Sequence, residues 1–262
     1  MKSSKLQAPN PKQAPIFKFQ REGRLTVDSR PIEVWGLVLF WCLALGAWNF
    51  CAAADNQLTS QEKRDGWILL FDGKTTNGWM NSDGTASRTP IVDGALNPHK
   101  AGHYMLVHTQ HWGNFVLSLD FKISKGCNSG IFVRTYSLKP RSGKDVGFNG
   151  LEIAIDDTTS AGLHDTGAIY DLAKPARNAM KPVGEWNHIE ITCDGSRIEV
   201  SLNGEKVTRA DLAEFTDPNK RPDGTPHKFD TAFRDHPQRG YIGLQDHGSP
   251  CWFKNIKLKP LP

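Results

Sequence analysis

Beyond residue 54 this 262-residue chain has no net charge, no long apolar run and no sustained helical period. Each absence removes a class of function. The formal charge of +4 belongs wholly to the first 54 residues, with seven Lys/Arg against three Asp/Glu; the rest holds 25 of each sign. Without a basic stripe, no nucleic acid is expected as a partner. Cysteine is scarce: of five, Cys42 and Cys51 fall in the first 54 residues, leaving Cys127, Cys193 and Cys251. An odd, widely spaced trio makes neither a disulfide framework nor a zinc site. Three buried small hydrophobes are expected, with one bridge plus a free thiol as the alternative. No window longer than about one turn shows an amphipathic helical period, and Arg209 to Glu214 is the one short candidate.

The longest apolar run is confined to Val34–Ala54, after a polar stretch rich in Pro, Lys and Arg over residues 1 to 33. It ends in Ala52-Ala53-Ala54, a small-x-small pattern suited to a signal peptidase. Residues 1–54 are therefore expected to be a signal peptide with a long n-region. About 20 apolar residues can also span a bilayer, so an uncleaved anchor is the rival and the sole membrane contact foreseen. The expected destination is export, periplasmic or secreted, with residues 55–262 as one domain.

From Asp65 onward short strands alternate with turns. Phe115, Leu117, Leu119, Phe121 and Ile123 alternate with Val116, Ser118, Asp120 and Lys122, the period of a half-buried antiparallel strand. Gly66–Phe71 and Ser129–Arg134 read as further strands. His188–Cys193 and Arg197–Leu202 flank Asp194-Gly195-Ser196, and Asn203-Gly204 turns into Glu205-Lys206-Val207, a meander of three. Together with eight Trp this predicts a single all-β sandwich of about 200 residues. Trp67, Trp79, Trp186 and Trp252 are assigned to core packing, and Asp217 to Gln238 to a long surface loop.

Gly150 to Leu172 concentrates the chemistry. Leu151, Ile153 and Ile155 point one way and Glu152, Ala154 and Asp156 the other. A polar loop with Asp157, His164 and Asp165 follows, and Ala168-Ile169-Tyr170 resumes an apolar run. Four residues at about 3.3 Å each put Glu152 and Asp156 about 13 Å apart. Glycosidase carboxylate pairs sit about 5 to 9.5 Å apart, so these two cannot form one. In Tyr241–Gly248, a period of two groups Tyr241, Gly243, Gln245 and His247 on one face, suited to a sugar lying on a sheet.

Arg239–Leu261, containing Gly-Leu-Gln-Asp-His-Gly, resembles the 3-keto-disaccharide hydrolase domain family. Gly66–Gly78, Asn128–Arg134, Gly150–Leu172 and Gly184–Asn187 extend the resemblance over essentially all of residues 60 to 261. Two departures are Ala154, where Gln is common, and Lys254, where Arg is common. The resemblance implies a concanavalin-like jelly-roll sandwich of two antiparallel sheets, found in secreted bacterial proteins. It implies a carbohydrate substrate whose sugar a separate 3-dehydrogenase has oxidised to a ketone at carbon 3. The ketone acidifies the carbon-2 hydrogen, so a base removes it, the aglycone leaves and water adds back.

On that reading Glu152 is the base or a metal ligand, His164 a catalytic or metal-binding imidazole, and Arg134 a clamp on the enolate oxygen. Asp156, Asp165, Tyr170, Gln245 and His247 bind the sugar. Plain structural roles compete with each: hydroxyl binding for Glu152, turn acceptors for Asp156 and Asp157, a surface imidazole for His164, an ion pair for Arg134. The crowded acids and imidazole suggest a divalent metal of unknown identity; no organic cofactor is expected. Two other functions share the scaffold: a non-catalytic carbohydrate-binding module, and a retaining glycosidase. The latter is disfavoured because the compact Glu-x-Asp-x-x-Glu strand motif is absent, Ala154 standing where its Asp would be.

Overall fold

The structure is a computed structural model and describes residues 54–99 and 101–262. The leader or anchor expected over residues 1–54 lies outside the described residues, save Ala54. The globular unit runs from Ala52 to Pro262. Among the described residues no helix is long and apolar enough to cross a membrane.

Among the described residues thirteen strands follow a short helix, α1 (Ser60–Arg64): β1 (Ile68–Leu69), β2 (Trp79–Asn81), β3 (Ile91–Val92), β4 (Ala95–Leu96), β5 (Met105–His108), β6 (Phe115–Ile123), β7 (Asn128–Thr135), β8 (Leu151–Asp156), β9 (Asn187–Asp194), β10 (Arg197–Leu202), β11 (Glu205–Asp211), β12 (Tyr241–Gln245) and β13 (Cys251–Pro260). They form two antiparallel sheets, an eight-stranded one ordered β11-β10-β9-β6-β13-β4-β3, with β1 also on β13, and a five-stranded one ordered β2-β5-β12-β7-β8. This is the expected jelly-roll sandwich.

The period-two patterns explain the layers. Leu117, Leu119 and Phe121 of β6 face Ile131 and Val133 of β7, Ile153 and Ile155 of β8, and Ile242 and Leu244 of β12 across one core. Each such side chain contributes about 1.5–3 kcal/mol on burial. A second apolar cluster occupies the other face of the five-stranded sheet: Met105, Val107 and Phe132 pack under Val146, with Leu138 and Tyr104 alongside. The β7–β8 connection thus roofs part of that face and makes a groove of it.

Several expectations change. The Gly66–Phe71 strand shortens to β1, and Leu212–Glu214 forms a 3-10 turn where a short helix was considered. Only Trp79 of the four assigned tryptophans is in the core; Trp67, Trp186 and Trp252 are half-buried, with Lys257 over Trp67 and Lys122 over the other two rings. Each is a cation–π contact, the ammonium itself lying over the ring. The Asp217–Gln238 segment is no mere surface loop, because it buries His227, Phe229 and Phe233.

Candidate active site

The groove face of the five-stranded sheet carries Glu152 of β8 opposite Phe132 of β7, and Ala154 opposite Gly130. Glu152 is half-buried there. Burial, above all, pushes its carboxyl up to about 7, with Lys228 opposing and Asp145 adding to the rise. A carboxylate brought to neutrality by desolvation suits a general base.

Around Glu152 stand residues from four segments. Tyr104, just before β5, accepts a hydrogen bond from Gln245 Nε2 at 3.1 Å. Burial, then Asp145 and Glu152, hold its hydroxyl well above the usual phenol range, so it is a neutral donor. Gln245 is 4 % exposed, and its Oε1 has no hydrogen-bond partner among the described residues. A buried amide oxygen in that state is costly, and a sugar hydroxyl can satisfy it.

Tyr170 follows β8 through the loop, its backbone N–H donating to Glu152 O at 2.8 Å. His164 stacks on its ring, centroids 4.5 Å apart and 21° from parallel. Lys228 Nζ lies 4.2 Å from the same ring centroid, within cation–π range. What brings this lysine in is Asp171, held at φ 56°. Asp171 Oδ2 accepts from Lys228 N at 2.7 Å, and Oδ1 accepts from Arg221 Nη2 at 2.6 Å, with His164 Nε2 3.4 Å away. One carboxylate thereby fastens the 217–238 segment to the wall of the groove.

Of the residues expected from sequence, Glu152, Gln245, Tyr170 and His164 come together here; His164 stands at the exposed rim. Asp156 is committed to Thr166, accepting from its backbone N at 3.0 Å and its hydroxyl at 3.2 Å. Burial raises its carboxyl to about 6, against the Thr166 hydrogen bonds and with help from Asp165 and Asp157. Asp165 accepts from Gly162 N inside its own turn, and Asp157 from Gly126 N at 2.7 Å. Asp165 behaves as a turn acceptor, whereas Asp157, among the described residues, bonds no turn of its own and reaches back to the β6–β7 turn. β12 stops at Gln245, so His247 leaves the period-two face and sits in the exposed turn beyond it.

Arg134 requires a correction. It adopts φ 53° where the β12–β7 register slips between Tyr241 and Gly243, a bulge that turns the side chain away from the groove. The residue is wholly buried. Its Nη1 donates to Gly195 O at 2.7 Å and its Nη2 lies 3.4 Å from Asn114 Oδ1. It clamps loops at the end of the sandwich, and the positive charge beside Glu152 is that of Lys228. Lys254 likewise lies away from the groove, on Asp55 at 2.6 Å.

Tyr104, Asp145 and Lys228 were missed from sequence. Tyr104 precedes a strand too uniformly buried to show a period, and Lys228 lies in a segment that reads as loop. Among the described residues no three His, Cys, Asp or Glu side chains are grouped to hold a metal ion. Glu152 is surrounded by an amide, two phenols and an ammonium rather than by converging oxygen or imidazole ligands, a setting that does not fit a divalent cation.

A half-buried carboxylate whose pKa is raised to about 7, set among phenols, an amide and a lysine on the groove face of a jelly roll, defines a carbohydrate-active enzyme. The sequence pattern of the 3-keto-alpha-glucoside-1,2-lyase-like domain matches residues 66–259, and the chain belongs to that family. It is an enzyme acting on glycosidic bonds. A relative from Bacteroides thetaiotaomicron named 3-keto-disaccharide hydrolase is 30% identical, covering 80% of this chain and 83% of its own. Two crystal structures from Parabacteroides distasonis, both described as glycosyl hydrolases, are similar. One has 34% identity and a TM-score of 0.63 over 74% of this chain and 99% of its own. The other has 26% identity and a TM-score of 0.65 over 80% and 100%.

Proposed function

We propose that this enzyme cleaves the glycosidic bond of 3-keto-glycosides by elimination across carbons 1 and 2 followed by hydration. The observation that carries the reading is Glu152, whose carboxyl stands at about 7 beside a lysine and two neutral phenols. Ionised Glu152 takes the carbon-2 proton, and the electron pair moves to the carbon-3 oxygen as an enolate. Lys228 supplies the positive charge that holds this oxygen. Collapse of the enolate re-forms the ketone, makes the carbon 1–carbon 2 double bond and expels the aglycone oxygen, which takes a proton from His164 at the rim. Having given up its proton, His164 takes one from the attacking water, whose oxygen adds at carbon 1, and Glu152, its own proton meanwhile exchanged with solvent, protonates carbon 2. Net hydrolysis results without an oxocarbenium ion.

Tyr104, Tyr170 and Gln245 seat the sugar, the free Gln245 Oε1 taking a hydroxyl proton. Such a substrate requires a sugar 3-dehydrogenase upstream. The apolar run ending in Ala52-Ala53-Ala54 is our reason for assigning this work to an exported protein.

The test is turnover in D2O of 3-keto-trehalose and of trehalose, each with and without EDTA. Release of 3-keto-glucose carrying deuterium at carbon 2, faster than exchange catalysed by Glu152→Gln, is the expected result. Cleavage of trehalose itself, or a product without carbon-2 deuterium, overturns the elimination. Sugar binding without any turnover would favour the non-catalytic module. Loss of activity with EDTA would restore a metal to the site.

A further inference from the structure

Cys127 and Cys251 are 124 residues apart in sequence but come together where the β6–β7 turn meets the start of β13. Cys127 closes the β6–β7 turn, its N–H donating to Ser124 O at 3.2 Å, while Ser124 N donates to Pro250 O at 3.1 Å. Cys251 opens β13 and is paired with Ile123. Just beyond, Asn128 N donates to Ser249 Oγ at 2.9 Å, and Ser249 Oγ to Asn128 O at 3.3 Å. Ser249 and Pro250 are thus held against the turn on either side of Cys127, which brings Cys251 beside it. Both thiols are free and buried. Cys127 is nevertheless flanked by exposed Lys125, Gly126 and Asn128, whereas Cys251 lies behind it.

We infer that Cys127 and Cys251 are a disulfide-forming pair, and that Cys193, alone in the core, stays reduced. The bond forms by thiol–disulfide exchange with a disulfide oxidant such as oxidised glutathione or a disulfide oxidoreductase. The Cys127 thiolate, exposed when the turn opens, attacks one oxidant sulfur and expels the other as a thiolate. The Cys251 thiolate then attacks the Cys127 sulfur and expels the remaining oxidant thiolate. Two protein thiols lose two electrons and two protons, and one oxidant disulfide becomes two thiols. The order follows from environment: the contact with Cys251 lowers the Cys127 thiol, and burial holds the Cys251 thiol high. The nucleophile is therefore the outer sulfur. The product would tie Asn128 and Ser249 together beside Gln245, whose carbonyl accepts from Ser129 Oγ at 2.9 Å.

The test is thiol counting in denaturant, after the native full-length chain has been equilibrated with oxidised glutathione and alkylated. Of the three thiols beyond residue 54, two should be lost and recovered on reduction, and peptide mapping should join 127 to 251. The Cys193→Ser variant should lose the same two, and Cys127→Ser and Cys251→Ser should each abolish that cross-link. All thiols remaining free, glutathione stopping as a mixed disulfide on Cys127, or a cross-link to Cys193 would each overturn the inference.

Discussion

Gly130 leaves open the space that the Glu152 side chain fills. A Cβ built on Gly130 would stand 2.8 Å from both Cγ and Oε1 of Glu152, too close for either to stay. The neighbouring strand thereby sets where the carboxylate points, through an atom it does not have.

Gly130→Ala should therefore act on Glu152. A displaced base costs rate steeply, so kcat for a 3-keto-glycoside should fall about 100-fold, while stability drops by about 1–3 kcal/mol from overpacking. Steady-state kinetics beside thermal unfolding checks this. An unchanged kcat would mean that the position of Glu152 is immaterial to the chemistry.

Glu152→Gln separates chemistry from stability. Activity should fall between about 10²- and 10⁴-fold. In the parent, kcat/KM should rise tenfold per pH unit and level off above about 7, where Glu152 is ionised. Stability runs the other way. The folded-state value of about 7 lies above the ordinary 4.5, so the folded protein holds this proton more tightly. That contribution is fully present below about pH 4.5 and is lost as pH rises through 7, up to roughly 3 kcal/mol. The Gln variant is free of that loss and should be the more stable protein at pH 8. Denaturant titrations of both at pH 5 and 8 read the difference.

The groove sheet was legible where alternation was clean: Leu151 to Asp156 gave its aliphatic and acidic faces directly, and Glu152 followed. β5 was not, because Met105, Leu106, Val107 and His108 are all buried, apolar core lying on both sides of the sheet. Alternation also misled at Arg134, where a bulge breaks the period, and at His247, where the strand has ended. Lys228 reached the site through Asp171, a long-range contact that no local pattern encodes.

Lys228→Met tests the cation proposed to hold the enolate. Loss of that charge should lower kcat by about 10²-fold. It should also move the acid limb. Lys228 opposes the rise of the Glu152 carboxyl, so without it Glu152 titrates higher and the limb of kcat/KM shifts to higher pH. A lysine that served only to pack on Tyr170 would lower stability and leave the limb in place.

Arg134→Met checks the opposite claim, that a buried cation near the groove takes no part in the reaction. The guanidinium bonds to Gly195 O and lies beside Asn114, two loops at the end of the sandwich. Removing it forfeits a charge-assisted hydrogen bond and leaves a carbonyl unpaired, which should cost about 2 kcal/mol or more. The fold around Glu152 depends on neither loop, so kcat/KM of the folded variant should stay within about threefold of the parent. Methionine keeps the length and apolar bulk of the stem, so the variant should still fold, with a lowered Tm. If instead a folded Arg134→Met protein lost as much activity as Glu152→Gln, the arginine would have to reach the reacting sugar, and the bulge that turns it inward would have to open during turnover.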